Sequence, residues 1–305
     1  MTGNVLQPTG LFAFDEAPLP VVVGVDGSAN AESAAAWAAV EAERRGAALI
    51  VVHAVSVPDA PSAPIEPGEH VTRRRAEGRV LLDRTVGALR ERFPGVHIQA
   101  ELSDLSPAHA LTAHSRAASL VVTGTRGHGG FVGMLVGSVS RKLAAHAACP
   151  LVVVRATEPE DSIDEVVLGV GPRPSPAAVR YAFEAARSLG VELTVIRAWW
   201  PQAVYSGVAA AGAMYVGELD TARDDAVAGA EAAVAELRGE FPDVKVRVCS
   251  AEGNAVPALV DAARGARLLV VGGHRHRGPL AVGAGYVVEG VIAHSPTPVA
   301  VVPIR

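Results

Sequence analysis

Gly124-Thr-Arg-Gly127-His-Gly-Gly-Phe-Val-Gly-Met-Leu-Val-Gly137-Ser138-Val139-Ser140 follows an apolar run, Leu120-Val-Val-Thr123, and precedes a segment of helical period, Val139 to Ala147. Glycines gather where a strand hands over to a helix, with small hydroxyl residues at the helix start. Glycine lets backbone N–H groups approach a ligand closely, and a helix N-terminus adds unpaired donors and a favourable dipole. The stretch therefore reads as an anion cradle, with a polyphosphate as its guest.

Working outward, the cradle belongs to a repeated unit. Val22-Val-Gly24-Val25-Asp26-Gly27-Ser28 returns as Val167-Leu-Gly169-Val170-Gly171, and Phe93-Pro-Gly-Val96 as Phe241-Pro-Asp-Val244. Leu120-Val-Val-Thr-Gly124 is matched to Leu269-Val-Val-Gly-Gly273, and His146-Ala-Ala-Cys-Pro150-Leu-Val-Val-Val to His294-Ser-Pro-Thr-Pro298-Val-Ala-Val-Val. Four blocks in one order at near-constant spacing mean duplicated domains rather than a solenoid. The chain of 305 residues fits that count. The divisions predicted are a flexible tail over 1–19, a first domain over 20–155, an acidic linker over 156–164 and a second domain over 165–305.

Each half alternates short β-branched runs with longer alanine-rich segments. Strands are predicted at Val21–Val25, Leu49–Ala54, Val96–Leu102, Leu120–Gly124 and Leu151–Val154, then near Val166–Val170, Leu193–Ala198, Val244–Ser250, Leu268–Gly273 and Val299–Val302. Helices of the first half are predicted at Ala31–Arg45, Val71–Phe93, Pro107–Arg116 and Val139–Ala147. Strands without polar alternation, separated by helices, imply an α/β fold with doubly wound parallel sheets covered on both faces. Ligands of such sheets bind beyond the carboxyl ends of the strands, where Asp26, Ala54 and Gly124 fall.

Composition narrows the function. Half of the residues are hydrophobic, 4% are aromatic and the net charge is −5. That leaves few stacking platforms and no general polyanion surface, which argues against nucleic acid. The first twenty residues carry Asp15 and Glu16 without a basic n-region, and no apolar run approaches spanning length, so a soluble cytoplasmic protein is expected. Two cysteines, Cys149 and Cys249, are too few for a disulfide framework and read as reduced thiols.

Each motif has a plain reading beside the functional one. Gly124 and Gly127 alone shape a strand exit; the full pattern Gly-x2-Gly-x9-Gly-Ser is far more specific, and it is neither a Walker loop nor a Gly-x-Gly-x-x-Gly fingerprint. Ser138 caps a helix, binds phosphate, or does both. Arg126 neutralises phosphate or is a solvated loop arginine. Asp26 stiffens a turn, or meets ribose and a magnesium ion beside the phosphates. Among ten histidines, His274-Arg-His276 with His294 is the best metal cluster and lacks a carboxylate or thiol at ligand spacing. His53 reads as a packed strand residue, and Arg73-Arg74-Arg75 as a solvated helix face. No Gly-x-Ser-x-Gly elbow occurs, and neither cysteine has a nucleophile's loop context.

The Val22–Ser28 start, the Gly124-to-Ser138 loop and the closing Cys149-Pro-Leu-Val-Val-Val154 together resemble the universal stress protein family, from about Pro20 onward. The tandem arrangement is similar to its two-domain actinobacterial members, and the loop to its ATP-binding branch. The resemblance implies a five-stranded parallel sheet in each domain, order 3-2-1-4-5, with ATP at the strand ends. It places Val25 and Asp26 near the nucleotide and Mg2+, and Ala54 at the adenine. Gly124, Arg126, Gly127, Gly137, Ser138, Val139 and Ser140 would surround ribose and phosphates. It also implies that the final strands pair within the chain as a pseudo-dimer, and that chains associate further.

The second half departs from the pattern at the site. Gly171 replaces the aspartate and is followed by Pro172-Arg-Pro174. Its loop reads Gly273-His-Arg-His276-Arg-Gly-Pro-Leu-Ala-Val-Gly-Ala-Gly285-Tyr286, one residue short, with His276 where a glycine of positive φ belongs and Tyr286 for the serine. ATP is therefore expected in the first domain; the alternative is a rearranged second loop binding through Arg275 and Arg277. Three functions follow in order: a nucleotide-dependent regulator in stress or growth control with an unknown protein partner, a slow ATPase or autophosphorylating enzyme, and an interaction protein that uses ATP only for stability.

Overall fold

The computed structural model of the chain describes residues 18–55, 67–127, 136–156, 163–200, 212–274 and 284–304. The tail expected over 1–19 lies outside them up to residue 17, as does most of the linker. Residues 56–66 and 201–211 also lie outside.

The first half runs β1 (Val21–Gly24), α1 (Ala29–Arg45), β2 (Leu49–Ala54), α2 (Pro67–Arg92), β3 (Ile98–Ser103), α3 (Pro107–His114), β4 (Leu120–Gly124), α4 (Ser138–His146) and β5 (Leu151–Val154). The second runs β6 (Ile163–Gly169), α5 (Pro176–Leu189), β7 (Glu192–Trp199), α6 (Gly212–Glu240), β8 (Val246–Glu252), α7 (Ala255–Ala262), β9 (Ala266–His274), α8 (Tyr286–His294) and β10 (Val299–Ile304). Strand β6 begins inside the stretch expected as linker, because Ile163 already pairs with Ala266. Helix α2 starts at Pro67 rather than Val71, proline being well suited to a first turn.

Local signals set the helix ends. The Ser28 hydroxyl accepts from Ala31 N at the start of α1, and left-handed Gly46 closes its end. Ser175 and Gly190 do the same for α5. The buried face of α1 is an alanine stripe, Ala31, Ala34, Ala35, Ala38, Ala39 and Ala42, which lets the helix lie close on the sheet.

All ten strands form one sheet, ordered β3-β2-β1-β4-β5-β10-β9-β6-β7-β8. Within each half neighbouring strands are parallel and follow the order 3-2-1-4-5; β5 and β10 meet antiparallel, with Val152 opposite Ala300. The halves are thus a pseudo-dimer in one chain, and two strands that would otherwise be edges cover each other. Alternate strand residues feed the two faces: Val21 and Val23 enter the core under α1, α2, α5 and α6, and Val22 the core under α3, α4, α7 and α8. The first core is continuous across both halves.

Two polar contacts also join the halves. Arg155, just past β5, donates to the carbonyls of Ile292 at 3.3 Å, Ala293 at 2.6 Å and Ser295 at 3.2 Å, capping the end of α8. On the opposite face, buried Glu41 of α1 accepts from Arg44 and Arg45, and Arg45 lies over the ring of Tyr181 in α5. Burial pushes the Tyr181 phenol up to about 12.

Replacing Arg155 by alanine strands three carbonyls, so we expect urea unfolding to show a loss of about 2 kcal/mol; a loss under 0.5 would refute the clamp. Tyr181 has a raised pKa when folded, so its contribution is complete below the unfolded value of about 10 and is lost as pH rises towards about 12. Between those limits Tyr181→Phe should lose less stability with rising pH than the parent chain, as followed by melting temperature.

Candidate functional site

The C-terminal ends of β1, β2 and β4 surround a cavity of about 460 Å³. Val25, Asp26, Ala54, Gly124, Arg126, Gly127, Gly137, Ser138, Val139 and Ser140 all line it. Residues up to 115 positions apart in sequence meet here because parallel strands place their exits side by side.

Asp26 leaves β1 into a tight turn: its Oδ1 accepts from Ser28 N at 3.1 Å and from Ser28 Oγ at 2.6 Å. Its other oxygen presses on the loop, where a Cβ added to Gly127 would sit 2.0 Å from Asp26 Oδ2. Gly127 is therefore required by close approach, and positive φ is not the reason: Gly127 does not occupy the left-handed region. A Cβ on Gly124 would fall 2.8 Å from the backbone of Asn30, in the first turn of α1.

Gly137 closes the base of the loop. Its N–H donates to Thr125 O at 2.7 Å, and it serves as N-cap of α4. Ser138 is thus the first helical residue and not the cap, and it is an exposed residue lining the cavity. The first turn of α4 leaves backbone N–H groups without intrahelical acceptors, at the positive end of the helix. Ser140 is buried, and its hydroxyl donates to Gly124 O at 2.8 Å while accepting from Thr123 Oγ1 at 3.5 Å. That hydroxyl joins helix to strand. Arg126 is exposed at the rim.

Three residues escaped the sequence reading. His53 is not simply packed: it lines the cavity, its Nδ1 donating to Val25 O at 2.8 Å. Thr123 reaches the wall from β4. Asn30 Oδ1 accepts from Thr125 Oγ1 and Ala156 N, tying the loop to the chain beyond β5. His53 was the most legible of these, since it neighbours Ala54 at a strand exit.

As to metals, no group of three His, Cys, Asp or Glu among the described residues could hold an ion. His276 of the histidine cluster lies outside them. Asp26 alone fits a magnesium ion only if the ligand supplies further oxygens, as a polyphosphate does. Both cysteines are free, and burial pushes the Cys149 thiol up to about 11, leaving it inert near neutrality.

A second cavity of about 360 Å³ occupies the same place in the second half. Strand register corrects the sequence match between the halves. Val22 faces Val121 and Val167 faces Leu269, so Gly272, not Gly273, is the counterpart of Gly124. The two loops are then equal in length, and Arg275 rather than His276 stands opposite Gly127. Arg275, His276 and Arg277 themselves lie outside the described residues. Tyr286 is 71% exposed, and its hydroxyl accepts from Asn254 Nδ2 at 3.0 Å, so its ring reaches towards α7 at the cavity mouth.

No helix among the described residues is long and apolar enough to cross a membrane. The model of the universal stress protein family matches residues 19–155 and again 162–303. A universal stress protein of Mycolicibacterium smegmatis is 40% identical over 47% of this chain and 48% of its own length, so that match spans about half of the relative. One from Mycobacterium tuberculosis is 28% identical over 93% of this chain and 94% of its own length. Among solved structures, a universal stress protein from Archaeoglobus fulgidus shares the fold with a TM-score of 0.65 at 18% identity, over 94% of this chain and 97% of that one. With both halves matched, the chain belongs to the universal stress protein family.

Proposed function

We propose that the first half binds ATP with Mg2+ and that the protein is a nucleotide-dependent regulator of stress or growth responses, acting in the cytoplasm through a protein partner. The observation that carries this reading is the meeting of Asp26, Gly127 and the N-terminus of α4 around one cavity. The adenine would lie in the apolar part of that cavity, among Val52, Ala54, Leu111 and Val139. Phosphates would lie against the backbone of Gly127 and Gly137–Val139, with Arg126 at the rim and Asp26 sharing the metal.

Catalysis needs a base poised beside a nucleophile. Here the Ser28 hydroxyl is bonded to Asp26 in a turn, and the Ser140 hydroxyl to a carbonyl, arrangements that serve structure. A holding role suits such a site better than turnover. Burial, with the charge of Arg126 second, weakens the proton affinity of the Arg155 guanidinium. Phosphate charge near Arg126 would offset that repulsion, so occupancy of the first site would bear on the clamp between halves.

Denaturing the purified protein and quantifying released nucleotide by ion exchange should give close to one ATP per chain. Gly127→Ala forces a methyl onto the Asp26 carboxylate, and equilibrium dialysis should show at least tenfold weaker Mg-ATP binding with the melting temperature of the ligand-free protein within a few degrees of the parent. No nucleotide on purification, and none bound on addition, would overturn the reading.

A further inference from the structure

We propose that the second half carries a binding site of its own, for a small uncharged and largely apolar molecule. The inference stands whether or not the first half binds nucleotide.

With the register corrected, the two cavities compare position by position. Asp26 of the first becomes Gly171, Thr123 becomes Val271 and Ser140 becomes Val288. Ala54 is kept as Ala198. Each of these three changes removes a polar group from the wall, and Val170, Ile196 and Leu259 add to its apolar lining.

The helix end is altered in the same sense. Arg141 in the first turn of α4 becomes Glu289 in α8. The Glu289 carboxylate accepts from Ala284 N at 3.2 Å, so the positive end of α8 already holds the chain's own anion. A phosphate or carboxylate ligand would meet that charge, whereas an uncharged molecule would not. Arg173 is exposed at the rim and contributes little attraction through solvent.

The cavity has nevertheless stayed open. Six positions separate Gly169 from the cap Ser175, against four from Gly24 to Ser28, and the longer connection holds two prolines, Pro172 and Pro174. A Cβ on Gly171 would meet nothing within 4 Å. At the mouth, the Tyr286 hydroxyl accepts from Asn254 and retains its own hydrogen for one acceptor on a ligand. A mostly apolar cavity of this size with a polar handle at its mouth suits a compact, mostly hydrocarbon molecule.

The test uses N-phenyl-1-naphthylamine, a neutral fluorophore, and its sulfonated relative 1-anilinonaphthalene-8-sulfonate. The neutral probe is titrated into the full chain carrying Ala54→Phe, which blocks the first cavity. We expect one molecule per chain with blue-shifted emission, and the sulfonate at least tenfold weaker. Adding Ala198→Phe, which fills the second cavity, should weaken neutral-probe binding at least tenfold. Gly171→Trp, at an open and exposed position where folding is not at risk, should weaken it several-fold. Binding that survives both variants within twofold, binding lost with Ala54→Phe alone, no binding at all, or a sulfonate that binds as tightly would each overturn the proposal.

Discussion

Three residue pairs between β5 and β10 decide the shape of this molecule. Because they are antiparallel, a chain that repeats one parallel unit closes on itself with a pseudo-twofold relation. The strand exits of the two halves therefore face opposite edges of the common sheet, and each half has a cavity at its own edge. The pairing is short, and its strength comes from what surrounds it. One core runs beneath it without a break, Arg155 caps α8 on one face, and Glu41 with Arg45 meets Tyr181 on the other. Burial of such a continuous apolar layer outweighs any single bond in the joint.

Duplication frees the two sites to diverge, and the divergence has a physical direction. In the first half the wall keeps a carboxylate, hydroxyls and a glycine loop pressed against Asp26. In the second, Gly171, Val271, Val288 and Tyr286 stand where the first has Asp26, Thr123, Ser140 and Ser138, and a carboxylate occupies the helix end. The backbone needs neither set, since both halves share one topology. What distinguishes the cavities is the free energy of placing charge in them, which side chains at the strand exits control.

Much of the fold was legible in the sequence because apolar runs, alanine-rich helices and Ser/Gly caps all point to the same elements. Strand β4 and helix α1 lie within two residues of their expected bounds. The alignment of the halves failed by one residue, since Arg267-Leu-Leu-Val-Val-Gly-Gly273 offers two glycines and only hydrogen-bond register chooses between them. The residues around the first site were legible as a group, through glycine spacing and strand exits. Their individual tasks were not: that Gly137 caps α4, that Ser140 joins helix to strand and that His53 faces the cavity depend on partners far away in the chain.

The central claim is that one chain pairs a site built for polyphosphate with a site that excludes it. Native mass spectrometry of the intact chain saturated with Mg-ATP tests it most directly. The account predicts a single added nucleotide, retained when the second cavity is blocked at Ala198 and lost when the first is blocked at Ala54. Two nucleotides per chain, or one that disappears only when the second cavity is blocked, would contradict it.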